Sequence, residues 1–571
     1  MQALMNASKG QMQPQVLSRS LAVRQNLVAA VLFTTLELLC FAPIFKRVGF
    51  YLDDWITLNL LDFGPKSFLS ACWQYLISDP RVVARPVEAF YYVVLYFMFG
   101  LKPLGYHVLN AGLEIGAAFF LYLAISRLTG RRALAAVAGL ILIIYPNHDV
   151  THYWATCSSE NLSLLLVMAS LYCTVVAAGS KSLAFHALSA LAIALSLFCY
   201  ETFLPLILLN VVFAYLACPG KSNRRAAIKQ ICLVVAPFLV FVISLLVYSR
   251  LVVPHIAAFW QVHPVSFDPG HMIGTIWEGI RINSPVYALP FFGQLASQAF
   301  LYESIRTLVT EVLIACLVLG CGIYWLAAGE EQPQQPVFLL PLGALTFIAS
   351  YSIFGLNPEY TPTFQTILSR INEGAAVGIA LMVSGAVALV LRFLQTGKRR
   401  QTALICCLFL LPIVSLSFLA NRGYARAWEL CWYTQTVIRD SLKGQENRFK
   451  AGDSVILANC PRYVMWSPLF DGVWDFQPML QLALKNKAIK GGVVSERMVI
   501  AGNNLKDIAK GSICNTYEFG KSYLIIPPHG DIVPINSGQE FVDQIRQRGM
   551  KFGLDPAALG RWQTEVDNSK N

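Results

Sequence analysis

About eleven apolar runs, each near the roughly 20 residues that cross a 30 Å hydrocarbon core, recur along the first three quarters of this chain. They fall near 27–45, 104–126, 133–147, 160–179, 183–199, 203–218, 231–250, 308–328, 337–355, 374–395 and 402–420. Only 13% of the 571 residues are charged, against about a quarter in an ordinary soluble domain. The chain therefore reads as an α-helical polytopic membrane protein, with the lipid bilayer as its main solvent. The N-terminal 26 residues are polar, and the run after them lacks a small-residue cleavage site. It is expected to stay as a first span rather than leave as a signal.

Charge sets the expected orientation. A net charge of +11 can mark a nucleic-acid binder, but in a polytopic chain a basic surplus marks cytosolic loops. No nucleic-acid partner is expected. With the N-terminus inside, Arg127, Arg131, Arg132, Lys181, the KSNRR stretch at 221–225 and Lys398 to Arg400 all fall in cytosolic loops. The short loops of the other face hold little beyond Arg370. The apolar, aromatic run VEAFYYVVLYFMF at 87–99 offers only about 13 residues and is expected to lie in the interface. Counting it as a span would move those basic clusters outside.

Four regions follow: a cytosolic segment 1–26, a transmembrane module 27–250 with a long exofacial loop 46–103, a second module 251–420 that opens on another exofacial loop, and a soluble domain 421–571 outside. That tail reads α/β, with strands in SVILANC and KSYLIIPP and helices in PMLQLALKNKA and QEFVDQIRQRG. Most of the 14 cysteines lie inside apolar runs, where a thiol is a small hydrophobe. Cys460 and Cys514 lie in the tail; a disulfide between them and two separate core thiols are equally open.

The unusual polar residues gather on the exofacial side of this threading, which points to a single site. Asp53 and Asp54 follow the first span. As neighbours they point in different directions and cannot duplicate one another. One suits a general base whose pKa is raised by desolvation and by its negative neighbour, while the other orients the acceptor. The alternative is a helix cap at the start of WITLNLL. Arg81 and Arg85 precede the interfacial run, and a guanidinium at headgroup depth either holds a phosphate or snorkels. Arg370 is the second choice for a phosphate ligand and Arg281 the third.

Tyr106, His107, Asn110 and Glu114 open the second span, and polar residues inside a span are functional candidates. The densest patch, YPNHDVTHYWATCSSEN at 145–161, holds His148, Asp149, His152 and Glu160. Glu201 sits between two closely spaced spans, and it and Glu160 either face a cavity or end a span at the water boundary. His148 and His152 are four apart, but Asp-Val-Thr between them is not a zincin motif. No metal site stands out, and no Walker loop or GxGxxG turn is present.

The acidic pair after the first span, RPV before the interfacial run, GLKPLGYHVLN, YPNHDVTHYW…SE and YETFLPL together resemble the GT-C superfamily of integral-membrane glycosyltransferases. The likeness is strongest to the branch with protein O-mannosyltransferases and related bacterial enzymes that use polyprenyl-phosphate sugars. It covers about 25–250 well and 330–420 loosely, and it does not cover the tail. The resemblance implies transfer of a sugar from a lipid-phosphate donor to an acceptor hydroxyl on a glycan, lipid or protein, outside a bacterial inner membrane. It also implies a first-loop acid as base, Asp53 before Asp54, with Arg85 or Arg370 facing the leaving phosphate. His107, Asn110, His148, Asp149, Glu160 and Glu201 are expected to line the sugar and acceptor. The resemblance fixes no cofactor: some members use a divalent cation and others do not. The competing reading is a transporter or flippase for lipid-linked glycans, which often shows repeats and broken spans; no convincing repeat is found. A sensor on an eleven-span anchor is the third.

Overall fold

The computed structural model describes residues 2–78, 80–218, 224–256, 267–328, 336–394, 398–509, 512–527, 531–548 and 556–568. Lys221 and the side chains of Arg81 and Arg224 fall outside them.

The first run lies on α1 (Gln2–Phe41). Four helices fill the following connection: α2 (Asp53–Asp62), α3 (Phe68–Ser78), α4 (Pro80–Val83) and α5 (Pro86–Phe99). Next come α6 (Pro103–Thr129), α7 (Arg132–Ile144), the short α8 (Asp149–Tyr153), α9 (Ser158–Ser180) and α10 (Leu183–Cys199). A 3₁₀ turn at Glu201–Leu206 leads into α11 (Ile207–Ala217), followed by α12 (Arg224–Val247) and α13 (Val253–Ile256). The second module holds α14 (Pro269–Asn283), α15 (Pro285–Tyr302), α16 (Ile305–Leu326), α17 (Leu339–Ser352), α18 (Glu373–Phe393) and α19 (Arg399–Leu442).

Every apolar run drawn from the sequence falls on one of these helices. Among the described residues eight helices are long and apolar enough to cross a membrane. The remaining runs form the shorter apolar helices Arg132–Ile144, Leu183–Cys199 and Glu201–Ala217, and Pro86–Phe99 is the run expected at the interface. The protein is an integral membrane protein. Burial shows the bilayer's part in it: α7 is buried along its length, whereas Leu239, Val240, Ile243 and Leu246 on α12 stand 49–59% exposed. An apolar face that open belongs against lipid.

Local signals set several boundaries. Pro103 begins α6, where its fixed φ and missing N–H cost nothing. Gly130 ends the helix at φ 71°, a left-handed cap closed by its N–H on the Ser126 carbonyl.

Helix α19 runs past residue 420, where the hydropathy falls, to Leu442 without a break, burying Tyr424 and Trp428. The tail beyond it is α/β. Its four-stranded sheet has the order β4 (Lys490–Val493), β1 (Ser454–Leu457), β8 (Ser522–Ile526), β9 (Asp531–Ile535). Strands β4, β1 and β8 are parallel, with Val455 opposite Gly491 and Tyr523. Central β1 is buried throughout, as a strand covered on both faces must be. The antiparallel edge strand β9 tolerates Pro534. A short β2–β3 pair (Tyr463–Val464 with Ser467–Pro468) and a meander of β5 (Met498–Ala501), β6 (Asn504–Ala509) and β7 (Ser512–Glu518) complete the strands.

Of the tail helices, α20 spans Val473–Leu484, so it starts before the expected PMLQLALKNKA segment and stops where Lys485 turns left-handed at φ 50°. Helix α21 spans Gly538–Gln547 and α22 spans Pro556–Asn568. The disulfide alternative fails: Cys460 is buried, Cys514 is exposed on β7, and both are free.

The connections α1–α6, α7–α9, α10–α11 and α17–α18 meet on one side of the bundle, the loop face. The tail packs on that same face. Asn59 of α2 donates to Gln481 Oε1 at 3.0 Å and to the Pro478 carbonyl at 3.3 Å on α20, and Trp55 Nε1 donates to Gln435 Oε1 on α19 at 3.1 Å. One apolar cluster runs from Phe41 and Trp55 through Trp428 to Phe476, so tail and loop face share a core.

Candidate active site

The loop after α1 is strained just before its acids. Leu52 sits at φ 47°, ψ −117°, a conformation that costs a residue with a Cβ on the order of 1–3 kcal/mol and persists only where its surroundings enforce it. Here they do. Trp154 Nε1 donates to the Tyr51 carbonyl at 3.0 Å, and the Tyr51 hydroxyl donates to the Trp428 carbonyl at 2.8 Å. His107 Nε2 meets the Gly49 carbonyl at 3.1 Å. A Cβ on Gly49 would sit 2.0 Å from the Trp432 ring, so only glycine allows the chain this close.

Asp54 is the main staple. One oxygen accepts the Tyr51 N–H at 2.8 Å, which ties the first turn of α2 to the residue before its N-cap. The other accepts the Thr156 N–H at 2.7 Å and the Thr156 hydroxyl. Burial pushes the Asp54 carboxyl up to about 7 against the pull of those donors. The cap reading of the acidic pair does not hold for Asp54: the N-cap position is Leu52, and the donors on Asp54 come from Tyr51 and Thr156 rather than from the first turn of α2. Asp53, the first residue of α2, is half-buried and lies in the field of Asp54 and of Asp475 from the tail. Asp475, the third residue of α20, accepts N–H bonds from Asp471, Gly472 and Phe476 at 2.6, 3.0 and 2.8 Å and so caps the helix start. Burial pushes it up to about 8.

The arginines form the second half of the site. Arg85 grips Glu201 with two parallel bonds, Nε to Oε2 at 2.8 Å and Nη2 to Oε1 at 2.6 Å. Its guanidinium lies 3.9 Å over the Tyr200 ring and 3.6 Å from Glu88. Arg370 reaches Glu160 at 3.2 Å and lies 5.6 Å from the Trp154 ring. Both arginines act on Tyr200, Glu160 and Glu201, so two cations far apart in sequence share one patch. Their side chains remain 19% and 20% exposed, and Glu201 is 44% exposed. Thr366, which starts the 3₁₀ turn Ile367–Asn372 carrying Arg370, is a second residue at positive φ, 64°. The two halves touch through Trp154, which lies by Arg370 and bonds Tyr51.

The other expected residues form the floor. Asn110 Nδ2 donates to the Thr151 carbonyl at 2.6 Å, and Asn161 Nδ2 donates to Asn110 Oδ1 at 2.8 Å and Glu114 Oε1 at 2.9 Å. His148 Nδ1 meets Asn147 Oδ1 at 2.8 Å; burial, then the His152 ring, hold it well below the usual imidazole range. Asp149 accepts from the Ser369 hydroxyl at 2.6 Å and Trp428 Nε1 at 3.1 Å, and burial pushes it up to about 7. These bonds fasten α8 to α6, α9, α18's leading turn and α19.

Arg281 is not brought to the patch. It lies exposed on α14, bound to Glu278 at 2.7 and 2.5 Å and 4.7 Å over Tyr287. Glu88, Trp428 and Asp475 are the neighbours that sequence reasoning missed. Glu88 had a signal, an acid in an otherwise apolar run; the tail residues had none. Among the described residues the side chains disposed to share a cation are Glu37, Glu114 and His152, behind this face.

No protein-family profile matches the chain, and no curated protein does. It is similar to crystal structures of ArnT from Cupriavidus metallidurans. One, bound to undecaprenyl phosphate, shares 14% identity over 81% of this chain and 85% of that one, with a TM-score of 0.33. Another, in the apo state, shares 14% identity over 76% and 83%, with a TM-score of 0.28. A superposition that loose carries no weight on chemistry.

Proposed function

We propose that this chain is a membrane glycosyltransferase that moves a sugar from a polyprenyl-phosphate donor to an acceptor hydroxyl at the loop face, with that face and the tail on the extracytoplasmic side of a bacterial inner membrane. The observation that carries the reading is the convergence of Arg85 and Arg370 on Tyr200, joined through Trp154 to the strained turn before Asp53 and Asp54. The loop charges favour the orientation, and the motif order resembles the GT-C superfamily.

In this mechanism Arg85 and Arg370 trade Glu201 and Glu160 for the donor phosphate, which a guanidinium holds by paired bonds. Asp53 takes the proton from the acceptor hydroxyl as its oxygen attacks the anomeric carbon. The bond from that carbon to the phosphate oxygen breaks, the centre inverts, and the charge left on the lipid phosphate falls between the two guanidiniums. Asp54 is 3% exposed and both its oxygens accept internal bonds, so it holds the turn rather than meeting the acceptor. Glu201, once released, is open to accept from a sugar hydroxyl. His107, Asn110, His148 and Asp149 position these groups from behind.

The test is reconstitution in liposomes with radiolabelled polyprenyl-phosphate hexose and an envelope extract holding glycan, lipid and protein acceptors. Label is expected in an acceptor with wild type and not with Asp53→Asn. Undiminished transfer by Asp53→Asn and Asp54→Asn alike would reject the assignment of the base. Carrier movement across the bilayer that survives both, without transfer, would make the chain a transporter.

A further inference from the structure

We propose that Glu37, Glu114 and His152 bind one divalent transition-metal ion of the zinc class behind the loop face. The three come from α1, α6 and α8, and one ligand atom of each lies within 4.8 Å of the others. All are buried, at 1%, 7% and 5% exposure. Glu37 Oε2 and His152 Nε2 make no hydrogen bond, and Glu114 Oε2 and His152 Nδ1 have only each other. A buried polar atom left unbonded costs about 1–3 kcal/mol, more when charged. Three such atoms, one from each residue, converge on one spot and point to a ligand that satisfies them together.

The charges agree. Two carboxylates and a neutral imidazole carry two negative charges, which a divalent cation cancels in a region where isolated charge is costly. Among the described residues neither Oε2 has a lysine or arginine partner. The donor set, two carboxylate oxygens and one imidazole nitrogen, matches a three-ligand zinc site with an open position and is poor in oxygen for calcium or magnesium.

Surrounding groups already aim the ligands. Asn161 and Asn110 donate to Glu114 Oε1 at 2.9 and 3.3 Å, which leaves Oε2 turned to His152. The His152 ring stacks on Phe41 at 4.2 Å, which fixes its plane. His152 Nδ1 stands 2.6 Å from Glu114 Oε2. Two ligands about 2.0–2.1 Å from a tetrahedral zinc lie roughly 3.3 Å apart, so the pair opens by less than about 1 Å.

The ion ties two membrane helices to α8, and α8 leads directly to Trp154 and Thr156, which hold Tyr51 and Asp54. It thereby stiffens the support of the acidic turn from a distance and touches no reacting atom. The inference stands whether or not the proposed sugar transfer is correct.

The test uses the full-length protein in nanodiscs, with zinc content by mass spectrometry and binding by zinc and cobalt titration. Wild type is expected to retain about one zinc per chain. Glu37→Gln and His152→Gln, which nearly keep side-chain volume, are expected to lose it. Asn161→Ala should weaken affinity about 10–100-fold through the freed Glu114. X-ray absorption on wild type needs no variant and should show one imidazole nitrogen among oxygen ligands. The proposal falls if wild type takes up no zinc or cobalt, if uptake persists in both ligand variants, or if sulfur dominates the shell. It also falls if infrared spectra of wild type show a protonated carboxyl that Glu37→Gln abolishes, since Glu37 would then hold a proton in place of an ion.

Discussion

The floor and the rim of the loop face are built from the same residue types and bonded in opposite ways. On the floor, Asp54 and Asp149 are buried and have both oxygens engaged by donors, all but the Tyr51 N–H from distant segments. On the rim, Arg85 and Arg370 are part-exposed, Arg85 paired with Glu201 and Glu88 and Arg370 with Glu160, and Glu201 is open to water. A buried acid with a full set of donors fixes a chain path. A part-exposed ion pair contributes little stability and is free to exchange its partner for an anion. The polar residues of this face therefore divide into those that fold it and those available to a ligand.

The sharpest break of that division is Asp53→Asn. It should lower turnover by about 10²–10⁴-fold with an unchanged melting temperature; parallel loss of fold and activity would put Asp53 on the floor. Arg370→Ala should cost about 10²–10³-fold in turnover, and Arg370→Lys should recover only part of it, because an ammonium lacks the planar fork. Steady-state kinetics against donor concentration decides.

Asp54→Ala tests the floor. It strands the Thr156 and Tyr51 donors, each buried unpaired donor costing about 1–3 kcal/mol, so a denaturant or thermal melt should show a large loss of stability and any activity loss should follow it.

A smaller effect concerns pH. Asp54 and Asp475 titrate near 7 and 8 in the fold and near 3.9 unfolded. Between those values the folded protein holds protons that the unfolded chain lacks, so their contribution is complete below about pH 4 and is lost as pH rises through about 7 and 8. The melting temperature should fall between pH 5 and 8, and Asp475→Asn should flatten that slope at its upper end. Last, Arg281→Ala should change neither donor affinity nor melting measurably, because its partners lie outside the patch; a clear rise in donor KM would return Arg281 to the site.

Much of the site was legible because membrane proteins ration polar residues. Asp53, Asp54, Arg85, Glu160, Glu201 and Arg370 stand out against apolar neighbours, and the structure gathers Arg85, Arg370, Glu160 and Glu201 into one patch. Glu37 and Glu373 were open to the same reasoning as acids in or at a span, yet a single acid in a long run names no partner. Asp475 and Trp428 had no signal at all, since the tail's hydropathy resembles any soluble domain's.

The sequence alone determined that this chain lives in a bilayer, roughly where it crosses, and that its unusual polar residues gather on one side, because hydrocarbon makes each polar residue expensive and therefore conspicuous. Only the tertiary structure decided which of two adjacent acids is sealed by donors and which stays at the rim, which arginine misses the patch, and that the tail packs on the loop face. Those outcomes depend on contacts between segments hundreds of residues apart, and no local pattern of hydrophobicity or charge encodes which of them meet.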